Sequence, residues 1–347
     1  MIGRDGMIGG TAHVLPPVRL PLSLLDLVPI GRGQTVSDSF AASVALARRA
    51  EELGYTRVWY AEHHNMPTIA SAATSVVIAH IGAHTSTIRL GSGGIMLPNH
   101  SPLTIAEQFG ALDAMYPHRI DLGLGRAPGS DQVTARALRR DPRSADAFPQ
   151  DVLELQAYLA GETRVPGVDA TPGKGSRVPL YMLGSSLFGA QLAAALGLPY
   201  AFASHFAPDA LMPAIEAYRS EFKPSPQLDR PYVIAGVNVT AADTAAAAGE
   251  QFHAIRRVRA VSLFSRHVGI PAEDMTDEQA DELLGSAAGM HVDQMLRYAA
   301  VGTPPEVSDY LDGFVKQTGA DELITVHQSP SLEGRLRSVT LLAEAMA

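Results

Sequence analysis

Short, nearly unbroken aliphatic runs recur along the chain, and between them apolar residues fall at helical spacing. The runs lie at 21–27 (PLSLLDL), 57–62 (RVWYAE), 88–97 (IRLGSGGIML), 119–125 (RIDLGLG), 179–184 (PLYMLG), 199–204 (PYAFAS), 232–240 (YVIAGVNVT) and 321–327 (DELITVH). Apolar residues that run on instead of alternating predict strands buried on both faces, as in a parallel sheet. The helical stretches carry their own boundary signals. SDSFAASVALARRAEELG predicts a helix capped by Ser37 and stopped at Gly54; SPLTIAEQFGALDAMY has Ser101 as cap and Pro102 in first position. FGAQLAAALG and PDALMPAIEAYRSEF follow the fifth and sixth strands, Thr303 and Pro304 open a helix before the eighth, and a last helix covers roughly 331–346. Eight strand–helix alternations predict an α/β fold, a (β/α)8 TIM barrel with insertions, over a doubly wound sheet.

The 347 residues exceed the barrel minimum, and the excess falls in the connections 126–149, 161–178 and an insertion at about 262–300. Residues 1–18, rich in Gly and Pro, read as a flexible leader with Met7 as an alternative start; 19–347 reads as one domain. Ala-rich AADTAAAAGE looks helical. With 46% hydrophobic and 18% charged residues the chain can bury a sizeable core. A net charge of −9 without a basic stripe argues against nucleic acid. There is no Cys, which excludes disulfides, iron–sulfur clusters and a thiol nucleophile. No signal peptide or membrane span is recognisable, so a cytoplasmic protein is expected.

Barrel enzymes place their chemistry at the C-terminal ends of strands. The second strand ends in Glu62-His63-His64-Asn65, the most polar strand end in the chain. Alternation along a strand sends His63 and His64 to opposite sides, so no metal is expected there. His80 and His84 have helical metal spacing, but a histidine at a helix C-terminus is explained by the dipole. His100 and His205 sit at strand ends, whereas His13, His253, His267 and His291 belong to no constellation. Gly123-Leu124-Gly125-Arg126-Ala127-Pro128 lacks the third glycine of a dinucleotide fingerprint, and Gly129-Ser130 lacks the rest of a P-loop. Arg126 is instead suited to a phosphate, and Gly184-Ser185-Ser186, opening a helix after the fifth strand, forms an anion cradle. Gly91-Ser92-Gly93-Gly94 inside the third strand predicts a bulge or a close ligand approach.

Together these pieces resemble the bacterial luciferase-like family of flavin-dependent monooxygenases. The resemblance runs through Val58–His64, Gly93–Pro98, Glu107, Arg119–Arg126, Gly184–Ser186, Val301–Pro304 and Gly319–Leu323. It implies a barrel using reduced FMN and O2 to oxygenate a small organic substrate, as an alkanal monooxygenase does, with a separate flavin reductase and a homodimer through 69–84. It implies His63 as the catalytic histidine, Arg126 with Ser185 and Ser186 on the FMN phosphate, a cis peptide at Gly93–Gly94, and Glu62 and Glu107 near the flavin. The sequence departs at Gly125, where luciferase carries a reactive cysteine, which argues against light emission. It departs again at Phe148, in place of a second phosphate arginine; Arg136, Arg139 and Arg140 are the candidates to replace it. The rival readings are a deazaflavin-dependent dehydrogenase of the same barrel and a non-catalytic flavin-binding protein.

Overall fold

The computed structural model describes residues 20–127, 131–272 and 274–347. The leader 1–18 with Met7 and His13, and Pro128-Gly129-Ser130, lie outside the described residues.

The strands are β1 Leu22–Asp26, β2 Arg57–Tyr60, β3 Arg89–Met96, β4 Ile120–Gly125, β5 Leu180–Gly184, β6 Tyr200–Phe202, β7 Val233–Ala241, β8 Ala299–Gly302 and β9 Glu322–His327. Each pairs in parallel with its neighbours, and the ring closes through β6–β7, β7–β9 and β9–β1. Eight strands, every one placed by an aliphatic run, thus form a (β/α)8 barrel. β8 stands outside the ring and pairs with the overhang of β7, Asn238–Ala241. Its short Ala299-Ala300-Val301-Gly302 run gave no sequence signal, because a strand pairing on one side needs less apolar surface.

Strand-to-helix packing follows the expected caps with one correction. The first helix, Val36–Glu52, is capped by Thr35 and not Ser37. The Asp38 N–H donates to the Thr35 hydroxyl (3.1 Å) and the Thr35 N–H donates to the Asp38 carboxylate (2.8 Å), a reciprocal pair unavailable to Ser37. Gly54 follows with φ +77°, a left-handed stop. Ser101 caps Pro102–Met115, and Thr303 caps Pro304–Thr318.

The barrel interior has two ends. Leu25, Trp59, Ala61, Tyr181, Ala201, Ile234, Ile324 and Val326 pack within it. At the strand starts Arg57 donates to Asp121 (2.7 Å) and Tyr181 (2.7 Å) and pairs with Glu322 (2.9 Å), while Trp59 Nε1 donates to Asp121 (3.1 Å). Arg89 also pairs with Asp121. This polar plug closes the end opposite the chemistry. Between β7 and β8 the chain forms three helices, Ala245–Val268, Asp277–Leu284 and Ala287–Met295, with a small core of Ala260, Val292 and Leu296. They lean on the strand-end loops: Arg32, after β1, donates to the Met275 carbonyl (3.2 Å). Among the described residues no helix is long and apolar enough to cross a membrane.

Candidate active site

The most heavily bonded group at the C-terminal rim is Glu62, 1% exposed. β2 ends at Tyr60, two residues earlier than the sequence run, so Glu62, His63 and His64 lie in the loop that follows. That loop is tied down: Ser71 and Thr74 hydroxyls donate to the Ala61 carbonyl (2.5 and 3.1 Å), and the His63 N–H donates to the Ser71 carbonyl (2.9 Å). Four donors converge on the Glu62 carboxylate: His64 Nε2 (2.8 Å), His100 Nε2 (3.0 Å), Asn99 Nδ2 (3.0 Å) and the Met96 N–H (2.9 Å). A carboxylate only accepts, so both imidazoles present Nε2–H to it. Burial alone pushes the Glu62 carboxyl up, but these bonds, His100 foremost, hold it below the usual carboxylate range. Glu62 is therefore an anchor that joins the ends of β2 and β3. His64 belongs to that anchor, not to the opposite face of a strand as alternation predicted.

His63 is free of the anchor. Its Nδ1 is buried and has no hydrogen-bond partner among the described residues. Burial lowers its pKa, and the Arg259 charge adds to the effect, so the ring is neutral near pH 7. His205, after β6, is in the same condition: its Nδ1 is buried and without a hydrogen-bond partner among the described residues, and burial with the Arg259 charge pushes its pKa down to about 3. Asn238 on β7 fixes the His205 carbonyl (2.7 Å), and the ring packs so tightly on Gly236 that a Cβ there would lie 2.6 Å from Nδ1.

The third part of the rim is built for an anion. Arg126, directly after β4, is exposed and stacks on the Phe188 ring with its guanidinium carbon 4.0 Å from the centroid. Phe188 lies in the first turn of Leu187–Leu196, whose N-cap is Ser186; the Ser186 hydroxyl makes no capping bond. Among the described residues the Ser185 and Ser186 hydroxyls make no hydrogen bond, and with Gly184 they present these hydroxyls and helix-start N–H groups beside the Arg126 guanidinium. These residues fit a flavin phosphate. Phe148 is buried in the core. Arg136 and Arg139 are exposed, and Arg140 donates to Asn99 (3.1 Å), which places it on the Glu62 network.

Gly93–Gly94 is a cis peptide, as the resemblance implied, and the β3–β4 register shifts between Ser92 and Ile95. A Cβ on Gly93 would lie 2.7 Å from Leu25 Cδ1, and one on Gly94 2.8 Å from the Gly123 carbonyl. Glu107 lies on Pro102–Met115, partly buried, and among the described residues no hydrogen bond or ion pair joins it to Glu62. His84 Nδ1 bonds the His80 carbonyl (2.8 Å) just beyond the helix Thr74–Gly82, the helix-end role expected of it. Arg259 escaped sequence reasoning, since nothing in RRVRA distinguishes it from its paired neighbours.

The chain matches the luciferase-like monooxygenase family over residues 22–322. It is 48% identical to YvbT of Bacillus subtilis (strain 168) and 47% identical to the luciferase-like monooxygenase of Escherichia coli (strain K12), each over 93% of this chain and 96% of the relative. N-acetyl-S-alkylcysteine monooxygenase of Bacillus subtilis (strain 168) is 41% identical over 52% of this chain and 56% of its own length. Among solved structures, apo-MsnO8 superposes with TM-score 0.84 at 36% identity, covering 94% of this chain and 98% of that one. The family match and the monooxygenase relatives support an oxidoreductase. The chain belongs to the luciferase-like monooxygenase family.

Proposed function

We propose that the protein is an FMN-dependent monooxygenase that uses reduced flavin and O2 to oxygenate a small organic substrate. The observation that carries this reading is the pairing, on one rim, of a phosphate cradle after β4 and β5 with the neutral His63 imidazole after β2, whose Nδ1 has no hydrogen-bond partner among the described residues. FMN, when bound, supplies the activation of O2. The protein's own residues supply the rest. Arg126, Gly184, Ser185 and Ser186 anchor the phosphate and set the depth of the ring system. Gly93–Gly94 offers a backbone without side chains beneath it, and Glu62 keeps the β2 and β3 loops at fixed separation. His63, neutral and held by the Ser71 bond at its backbone, donates or accepts a proton at Nδ1 next to the reacting centre. The insertion helices exclude water from the mouth.

The relative that acts on N-acetyl-S-alkylcysteines supports a thioether among the candidate substrates, beside aldehydes and alkanes. A separate reductase as the supplier of reduced flavin belongs to this reading through the family resemblance. The test is oxygen uptake by the purified protein with photoreduced FMN, in parallel with turnover of a reduced deazaflavin. Oxygen consumption with FMN and a Kd that discriminates FMN from riboflavin are expected. Turnover with the deazaflavin and no oxygen uptake with FMN would replace the proposal with a dehydrogenase. Flavin binding without turnover of either kind would leave a binding protein.

A further inference from the structure

Side chains at the ends of β3 and β4 alternate between two environments. Ile95 and Leu124 pack outward into the core shared with the helices, so the next pair in register, Met96 and Gly125, faces the barrel interior. The inner face below that pair is bare. A Cβ on Gly93 would lie 2.7 Å from Leu25 Cδ1, and one on Gly123 2.6 Å from Leu183 Cδ1, both on leucines of the interior cluster. Met96 rises from this glycine floor and is partly exposed at the mouth.

Its thioether has a defined place. A Cβ built on Gly125 would lie 3.0 Å from both the Sδ and the Cε of Met96. The end of the side chain therefore rests on the Gly125 backbone, in the space that a side chain at 125 would fill. The Met96 N–H donates to Glu62 (2.9 Å), the residue before His63, and Arg126 of the phosphate cradle directly follows Gly125. The sulfur is thus tied to both halves of the rim, by its backbone on one side and by its contact on the other.

A thioether is soft and takes up one oxygen atom from a peroxide to give a sulfoxide. We propose that Met96 is a modification site, its thioether oxidised to the sulfoxide by peroxide formed at the mouth when no substrate is present. This rests on the monooxygenase reading above, which supplies the oxidant. O2 that takes up two electrons and two protons without oxygenating a substrate becomes hydrogen peroxide. The Met96 sulfur attacks one peroxide oxygen, the O–O bond breaks as the S–O bond forms, and the second oxygen leaves as water with both protons. Sulfur loses two electrons and the peroxide gains them. A polar, accepting sulfoxide then stands over Gly125 in place of an apolar thioether, so idle turnover changes the wall that a substrate meets.

The test exposes protein, in excess over FMN reduced with one equivalent of dithionite, to 18O2 in the dark without substrate. Catalase is present to destroy peroxide that escapes into solution, and peptide mass spectrometry reads 18O at each methionine. Met290 and Met115, 69% and 54% exposed, report oxidation from the bulk, and Met96 should gain label at least about fivefold faster than either. A bath of hydrogen peroxide without flavin should reverse that order. Gly125→Ala, whose Cβ displaces the sulfur, should lower labelling at Met96 and leave Met115 and Met290 unchanged. Circular dichroism reports the folding of this variant, and the wild-type comparison decides the matter if it does not fold. Oxygen consumed with Met96 labelled no faster than Met115 and Met290, Met96 leading in the peroxide bath as well, or undiminished labelling in folded Gly125→Ala would overturn the inference and leave the monooxygenase reading standing. Bound reduced FMN that consumes no oxygen would reject that reading and the inference with it.

Discussion

Removing the Arg126 guanidinium should weaken FMN and spare riboflavin. Arg126 is exposed and its fork is oriented by the Phe188 ring at 4.0 Å, beside the open hydroxyls of Ser185 and Ser186. A hydrogen bond to a charged group contributes about 1.5–3 kcal/mol, and solvent screening at an exposed position puts Arg126 at the lower end. A loss of about 1.5 kcal/mol corresponds to a rise in Kd of roughly tenfold. Arg126→Lys keeps the charge but loses the planar fork and much of the stacking, so it should fall between, at about threefold. Flavin fluorescence titrations of wild type, Arg126→Ala and Arg126→Lys with FMN and with riboflavin give the four differences needed. Riboflavin lacks the phosphate, and its Kd should move by less than about twofold. Equal losses for both ligands would show that Arg126 supports the ring pocket and that the phosphate lies elsewhere.

Further outcomes follow from the rest of the molecule. Asp121→Asn strips the charge that Arg57 and Arg89 share inside the barrel, and should lower unfolding free energy by about 3–5 kcal/mol in urea titration; a loss under about 1 kcal/mol would mean the plug is not coupled. His205 and His327, both held down to about 3 by burial, stay neutral in the native state while the unfolded chain takes up protons below its ordinary histidine pKa. Their contribution is therefore complete above about pH 6.5 and declines towards pH 3, costing about 2 kcal/mol each at pH 5; flat stability from pH 8 to 5 would contradict it. Self-association through the segment 69–84 is proposed from the resemblance, and Val76 on its helix is 66% exposed. Light scattering should give twice the 36.7 kDa chain mass, with Val76→Arg returning it to the single mass; a wild-type monomer at micromolar concentration would reject it.

The barrel was legible because each of its strands is buried on both faces, so that Leu22–Asp26 or Glu322–His327 shows as an aliphatic run whatever surrounds it. The same rule overshot β2, since Ala61 and Glu62 continue the buried stretch after the pairing stops at Tyr60. The error reached the site: His64 was expected across the strand from His63, but in a loop it turns onto Glu62. His100 and Asn99 converge there from β3, a meeting set by strand register that no linear spacing encodes. Arg57, Asp121 and Glu322 did leave a trace, each a charge at or near the start of an apolar run. Nothing in RRVRA tells which arginines pair, because that depends on where Asp277, Asp281 and Asp293 fold to: Arg256 meets Asp293 and Arg257 meets Asp277 and Asp281.

The most direct measurement is the fate of labelled oxygen. Protein, photoreduced FMN and N-acetyl-S-methylcysteine are mixed with 18O2, and the product is weighed by mass spectrometry while hydrogen peroxide is quantified. Wild-type protein should place one 18O atom in the product with little peroxide. His63→Ala should bind FMN and still consume O2, but return it chiefly as peroxide, because the proton at Nδ1 and the dry surroundings of the ring are lost. Product labelled from water would contradict the monooxygenase account, and an unchanged product-to-peroxide ratio in His63→Ala would contradict the assignment of His63.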